Sequence, residues 1–117
     1  MSATAAEMRL HTMDVWVRDA AVLTDADELR TILRDAARVG AATVHDDAFH
    51  VFPNGAVTGV LLLAQSHLSI HTWPELALAN VDLLTYGAAD GEQALTLIEG
   101  RLGATRATVS CVVRGRG

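Results

Sequence analysis

The chain has 117 residues, 50% hydrophobic and 20% charged, with a formal net charge of −5. That balance marks a globular chain rather than a disordered one, and its length fits one domain, residues 1–117, with one modest core. Nine Lys and Arg residues with no long basic run argue against nucleic acid, and no apolar run approaches the roughly 20 residues of a membrane span.

Residues 1–7 read as a loose tail. They are Ala-rich and carry Glu7, without the basic start and apolar stretch of a secretory signal, so a cytoplasmic location is expected. Met13, Val15 and Val17 alternate within a first strand over residues 10–18. Thr24-Asp-Ala-Asp is a helix start with Thr24 as N-cap. Leu29, Ile32, Leu33, Ala36 and Ala37 follow at helical spacing, and Gly40 stops the helix. Residues 42–52 read as a strand, irregular at its two aspartates, and Pro53-Asn54-Gly55 as a turn. The apolar run 57–64 predicts a buried strand that continues into a polar segment ending at Pro74. Another strand spans 78–85. Asp90 and Gln93 cap a second helix with Ala94, Leu95, Ile98 and Leu102 facing inward, and 106–113 is the last strand. The pattern predicts an α+β fold: an antiparallel β-sheet carrying two helices on one face, a sandwich whose other sheet face a second subunit would cover. The single cysteine, Cys111, forms no disulfide within the chain and reads as a small buried apolar residue.

Residues 65–75 concentrate Gln, Ser, His, Thr, Trp and Glu at the end of a buried-looking strand. His67 and His71 have the spacing of a helical zinc pair, but no glutamate follows His67 and the segment reads as strand, so no metal site is expected. A hydrolase nucleophile elbow needs glycines around Ser66, where Ala64 and Leu68 stand. From the residues alone, an exposed or interfacial polar strand is an equally good account.

The string Gln65-Ser66-His67-Leu68-Ser69-Ile70-His71-Thr72-Trp73-Pro74-Glu75 resembles the self-processing segment of the bacterial and archaeal S-adenosylmethionine decarboxylases. The likeness extends to Phe49–Pro53, Gly55–Val60, Asn80–Gly87 and Arg114-Gly115-Arg116, covering the chain from about residue 11 onward. It implies self-cleavage between Gln65 and Ser66 into a β chain, 1–65, and an α chain, 66–117. The Ser66 hydroxyl attacks the Gln65 carbonyl, and the resulting ester eliminates and hydrolyses to a pyruvoyl group. That covalent pyruvate cofactor forms a Schiff base with the substrate amine and accepts the electrons released with carbon dioxide.

By the same resemblance, His71 removes the Cα proton of Ser66 during processing, and Thr58 stands at the position of the processing serine. Phe52 stacks on the adenine and Glu75 binds the ribose hydroxyls. Three positions depart from the family pattern. Gln65 replaces the usual glutamate, Thr58 a serine, and Tyr86 the cysteine that protonates the substrate Cα, which makes Tyr86 the candidate proton donor. Leu76-Ala77-Leu78 also replaces an aromatic-rich stretch. The implied activity is decarboxylation of S-adenosylmethionine, supplying the aminopropyl donor for spermidine, by a homodimer of processed chain pairs. The alternatives are a pyruvoyl-dependent arginine or ornithine decarboxylase, and an unprocessed, non-catalytic homologue.

Overall fold

The computed structural model describes residues 7–116. Its strands are β1 (Met8–Val17), β2 (Val44–Val51), β3 (Val57–Leu63), β4 (His67–Trp73), β5 (Leu78–Tyr86) and β6 (Ala104–Arg114). Helix α1 (Ala26–Val39) joins β1 to β2, and α2 (Gly91–Leu102) joins β5 to β6. The strands form one antiparallel sheet in the order β2-β3-β4-β5-β1-β6. The predicted α+β class, six strands and two helices on one sheet face are all observed.

Alternation sorts the side chains into two layers. Met13, Val15 and Val17 of β1, Val57 and Leu61 of β3, Leu68 and Ile70 of β4, and Val81 of β5 point toward the helices and are buried. Leu29, Ile32, Leu33, Ala36 and Ala37 of α1 and Ala94, Leu95, Ile98 and Leu102 of α2 meet them. Buried Thr72 is satisfied: its hydroxyl donates to the Leu23 carbonyl at 2.8 Å and accepts from the Val57 N–H at 2.8 Å.

Four local readings need correction or refinement. The cap of α1 is Asp25, not Thr24; its carboxylate accepts from the Glu28 N–H at 3.1 Å. Thr24 instead closes a 3-10 turn over Ala20–Thr24 by donating to the Ala21 carbonyl. Gly40 does end α1, but in an ordinary conformation (φ −81°), and Ala41 takes the left-handed one (φ 61°). Gly40 is required by space: a Cβ there would stand 2.8 Å from the Asp90 carbonyl, where the loops before β2 and α2 touch. Glu7 is anchored rather than loose, bonded to Arg9 at 2.7 Å and Arg116 at 2.6 Å; the rest of the expected tail, residues 1–6, lies outside the described residues. Cys111 is exposed, on edge strand β6, which is exposed from Thr108 onward.

Among the described residues, no element covers the opposite sheet face. One row across it is apolar apart from His67, running Leu62, His67, Leu84, Leu10 and Val112, and Leu62 and Val112 are each half exposed. The parallel row Thr58, His71, Asn80, Asp14 and Thr108 is polar throughout.

Candidate active site

Gln65 and Ser66 lie in the turn between β3 and β4, closed by a hydrogen bond from the Leu63 N–H to the Ser66 carbonyl (2.9 Å). A second bond, from the Ala64 N–H to the Thr43 carbonyl (3.0 Å), holds the turn against the loop before β2. Gln65 is exposed and Ser66 half-buried. The Ser66 hydroxyl donates to the Leu84 carbonyl on β5, and among the described residues no group donates to its oxygen. Ser66 faces a cavity of about 380 Å³ walled by Ala37, Ala94, Leu68 and Leu83, with Tyr86 at its edge. A serine in a solvent-accessible turn, with its side chain on a cavity, fits the precursor of a prosthetic carbonyl.

Thr58, His71, Phe52 and Glu75 occupy the other end of β4. Thr58 and His71 are cross-strand partners, with Oγ1 2.6 Å from Nδ1. Phe52, just past the end of β2, approaches His71 edgewise at 6.0 Å between ring centroids, and His50 packs on Phe52 at 4.6 Å. The Trp73 indole stands against His71 at 4.4 Å, and its Nε1–H donates to Asn80. Glu75 is exposed in the single 3-10 turn Pro74–Leu76 that follows β4.

The candidate residues therefore form two groups, not one. Ser66 immediately precedes β4 and His71 lies five positions further on, about 16 Å away at the usual rise of an extended backbone. They also face opposite ways: Ser66 turns to the helix side, with Leu68 and Ile70, whereas His71 belongs to the uncovered face. Within one chain the structure brings Ser66 to Tyr86, and His71 to Thr58 and Phe52, but not Ser66 to His71. Cys111 does not line the Ser66 cavity; it lines an adjoining polar one with His11 and Arg9. His11 is buried there with Nε2 3.3 Å from the Thr85 hydroxyl. Burial, reinforced by Arg9, holds its pKa below the usual imidazole value, against the pull of Glu92 and Asp90. His50, Asn80 and Asp14 escaped the sequence reading. Each sits on the row of Thr58 and His71 or beside it, and only strand register reveals that.

An antiparallel six-stranded sheet with two helices on one face, and a serine-bearing turn beside a cavity, defines a class of α+β sandwich able to carry chemistry at a strand end. Residues 9–115 match the family model for S-adenosylmethionine decarboxylase. The chain is 42% identical over 94 residues to the S-adenosylmethionine decarboxylase proenzyme of Pseudomonas paraeruginosa, covering 80% of this chain and 59% of that protein. It is 42% identical over 98 residues to the proenzyme of the same name from Thermococcus onnurineus, covering 83% and 70%. The fold matches the crystal structure of the adenosylmethionine decarboxylase from Aquifex aeolicus with a TM-score of 0.87 at 30% identity, over 96% of this chain and 93% of that one. The chain belongs to the S-adenosylmethionine decarboxylase family. Its match spans 59% of the length of the Pseudomonas relatives. Among the described residues, no helix is long and apolar enough to cross a membrane.

Proposed function

We propose that this chain is a proenzyme that cleaves itself between Gln65 and Ser66 and then decarboxylates S-adenosylmethionine as a homodimer in the cytoplasm. The observation that carries the reading is the placement of the Gln65–Ser66 link. It lies in an accessible turn beside a cavity, in a member of this family, with the Ser66 hydroxyl proton held by the Leu84 carbonyl and its oxygen left to act as the nucleophile. Attack on the Gln65 carbonyl exchanges the peptide for an ester. Removal of the Ser66 Cα proton then expels the Gln65 carboxylate, and hydrolysis of the dehydroalanine through its imine tautomer releases ammonia and leaves a ketone at residue 66.

His71 with Nδ1 protonated toward Thr58 has Nε2 free as the base for that proton. Thr58 then has its own hydroxyl proton available for the oxyanion that develops at Gln65. These groups lie too far from Ser66 of the same chain, so a second copy supplies them. Two sheets packed face to face and antiparallel would bring the Thr58–His71 end of one chain to the β3–β4 turn of the other, where the exposed Gln65–Ser66 link would be reached past the strand end. The uncovered Leu62, Val112, Trp73, Phe52 and Tyr86 supply apolar area for that contact.

A pyruvoyl group at residue 66 supplies an electron-accepting carbonyl for breaking the carbon–carboxylate bond. Tyr86, which lines the same cavity, would return a proton to the substrate Cα. Phe52 and Trp73 offer ring faces for an adenine and for the diffuse charge of a sulfonium, and Glu75 a carboxylate for ribose hydroxyls. A guanidinium or a second ammonium is less well served. The carboxylate lining the Ser66 cavity among the described residues, Asp90, is engaged as the cap of α2. Intact mass spectrometry should find fragments 1–65 and 66–117, the second lacking an amino terminus and reacting with phenylhydrazine. Carboxyl-labelled S-adenosylmethionine should release labelled carbon dioxide, and arginine or ornithine should not. A chain that stays whole and takes up no carbonyl reagent overturns the proposal.

A further inference from the structure

The polar row that carries Thr58 and His71 continues past them. His71 is in register with Asn80 of β5, and Asn80 with Asp14 of β1. Trp73 lies two residues along β4 on the same face and leans back, so its indole meets the His71 imidazole at 4.4 Å and 65°. The indole Nε1–H donates to Asn80 Oδ1 at 2.6 Å, and Asn80 Nδ2 donates to Asp14 Oδ1 at 2.8 Å. Chemistry fixes the direction of this chain. An indole N–H only donates and a carboxylate only accepts, so an amide between them has one orientation.

We propose that Asn80 and Asp14 are positioning residues that hold the His71 imidazole in its working orientation by anchoring the Trp73 ring against it. The inference rests on the reading of His71 as the processing base, and adds the device that orients it. A single hydrogen bond to Thr58 fixes one nitrogen but leaves the imidazole free to swing about that contact. The indole wall removes the swing, provided it is itself immobile. Trp73 is 39% exposed, and without an anchor its side chain would exchange rotamers. Asn80 supplies that anchor. The charge-assisted bond to Asp14 keeps the amide from flipping and leaves Oδ1 for the indole. The result is an imidazole with Nδ1 turned to Thr58 and Nε2 facing away from it.

Two measurements test this, and the first does not depend on cleavage. In a Ser66→Ala chain, which has no nucleophile, nitrogen-15 NMR should find His71 predominantly as the Nδ1–H tautomer and the Trp73 indole N–H slow to exchange. Adding Asn80→Ala or Asp14→Ala should mix the tautomers and speed indole exchange at least tenfold. Asp14→Asn keeps an acceptor oxygen and should restore the parent signals. In the cleavable chain, Asn80→Ala, Asp14→Ala and Trp73→Phe should each slow cleavage about five- to tenfold, the worth of one hydrogen bond. Trp73→Phe with Asn80→Ala should be no slower than Trp73→Phe alone, because both sever one chain of contacts. Unchanged His71 signals in Ser66→Ala/Asn80→Ala overturn the proposal, and so do additive rate effects. A parent chain that never cleaves, while Asn80→Ala still loosens His71, overturns the processing reading and leaves the anchoring of the ring standing.

Discussion

Replacing Thr58 with valine preserves the shape of the side chain and removes one hydroxyl. Thr58 is exposed on β3 and outside the core, and valine suits a strand, so folding stability should change by less than about 0.5 kcal/mol. The hydroxyl lies 2.6 Å from His71 Nδ1. Were it only to orient the imidazole, its loss would cost about 1 kcal/mol, or roughly fivefold in cleavage rate. As a donor to the oxyanion at Gln65 it is worth about 3 kcal/mol, or roughly a hundredfold. The proposed function therefore predicts slowing of about a hundredfold, largely recovered by Thr58→Ser, followed by intact mass from the time of purification. Fivefold slowing would confine Thr58 to orienting His71. A Thr58→Val chain that matures at the parent rate would refute both roles.

Four further outcomes are expected. His71→Ala should halt maturation at the ester, which neutral hydroxylamine splits with a hydroxamate left on Gln65; a peptide resistant to hydroxylamine counts against that order of steps. Ser66→Ala and His71→Ala chains, each unable to mature alone, should give cleaved product when refolded together, since one of the two shared sites is then intact; no product after mixing rules out a site built from two chains. Gly59→Ala puts a Cβ 2.1 Å from the Phe49 ring, which covers the Arg30 guanidinium, and should cost about 1–3 kcal/mol in urea denaturation. His11 has a lowered pKa in the folded chain, so its contribution is fully present above the unfolded value of about 6.5 and is lost as pH falls below it. The thermal midpoint should drop between pH 7 and pH 5, and His11→Gln, which can still bond Thr85, should flatten that slope.

The elements were legible because their signals are local. Leu29, Ile32 and Leu33 announce a helix face, and Met13, Val15 and Val17 a strand face. The caps were legible to within a residue: Thr24 and Asp25 are both good cap residues, and the 3-10 turn that uses Thr24 left Asp25 for the helix. The turn at Ala64–Ser66 was hidden. It has no Gly, Pro or Asn, and Thr43, 21 residues earlier, supplies one of its hydrogen bonds. The sequence also makes Ser66 and His71 look like neighbours, when an extended backbone carries them to opposite faces and ends of a strand. Asn80 and Asp14 are 66 residues apart, and nothing short of the β1–β5 register puts their side chains together.

The strand order has a consequence for a chain severed at Gln65–Ser66. The first piece would keep β1, β2 and β3, and the second β4, β5 and β6, yet β1 is clasped between β5 and β6. The two pieces would thus interleave, like the fingers of folded hands. Parting them would require unzipping β1 along both of its edges as well as separating β3 from β4, so the nicked protein should persist as one body.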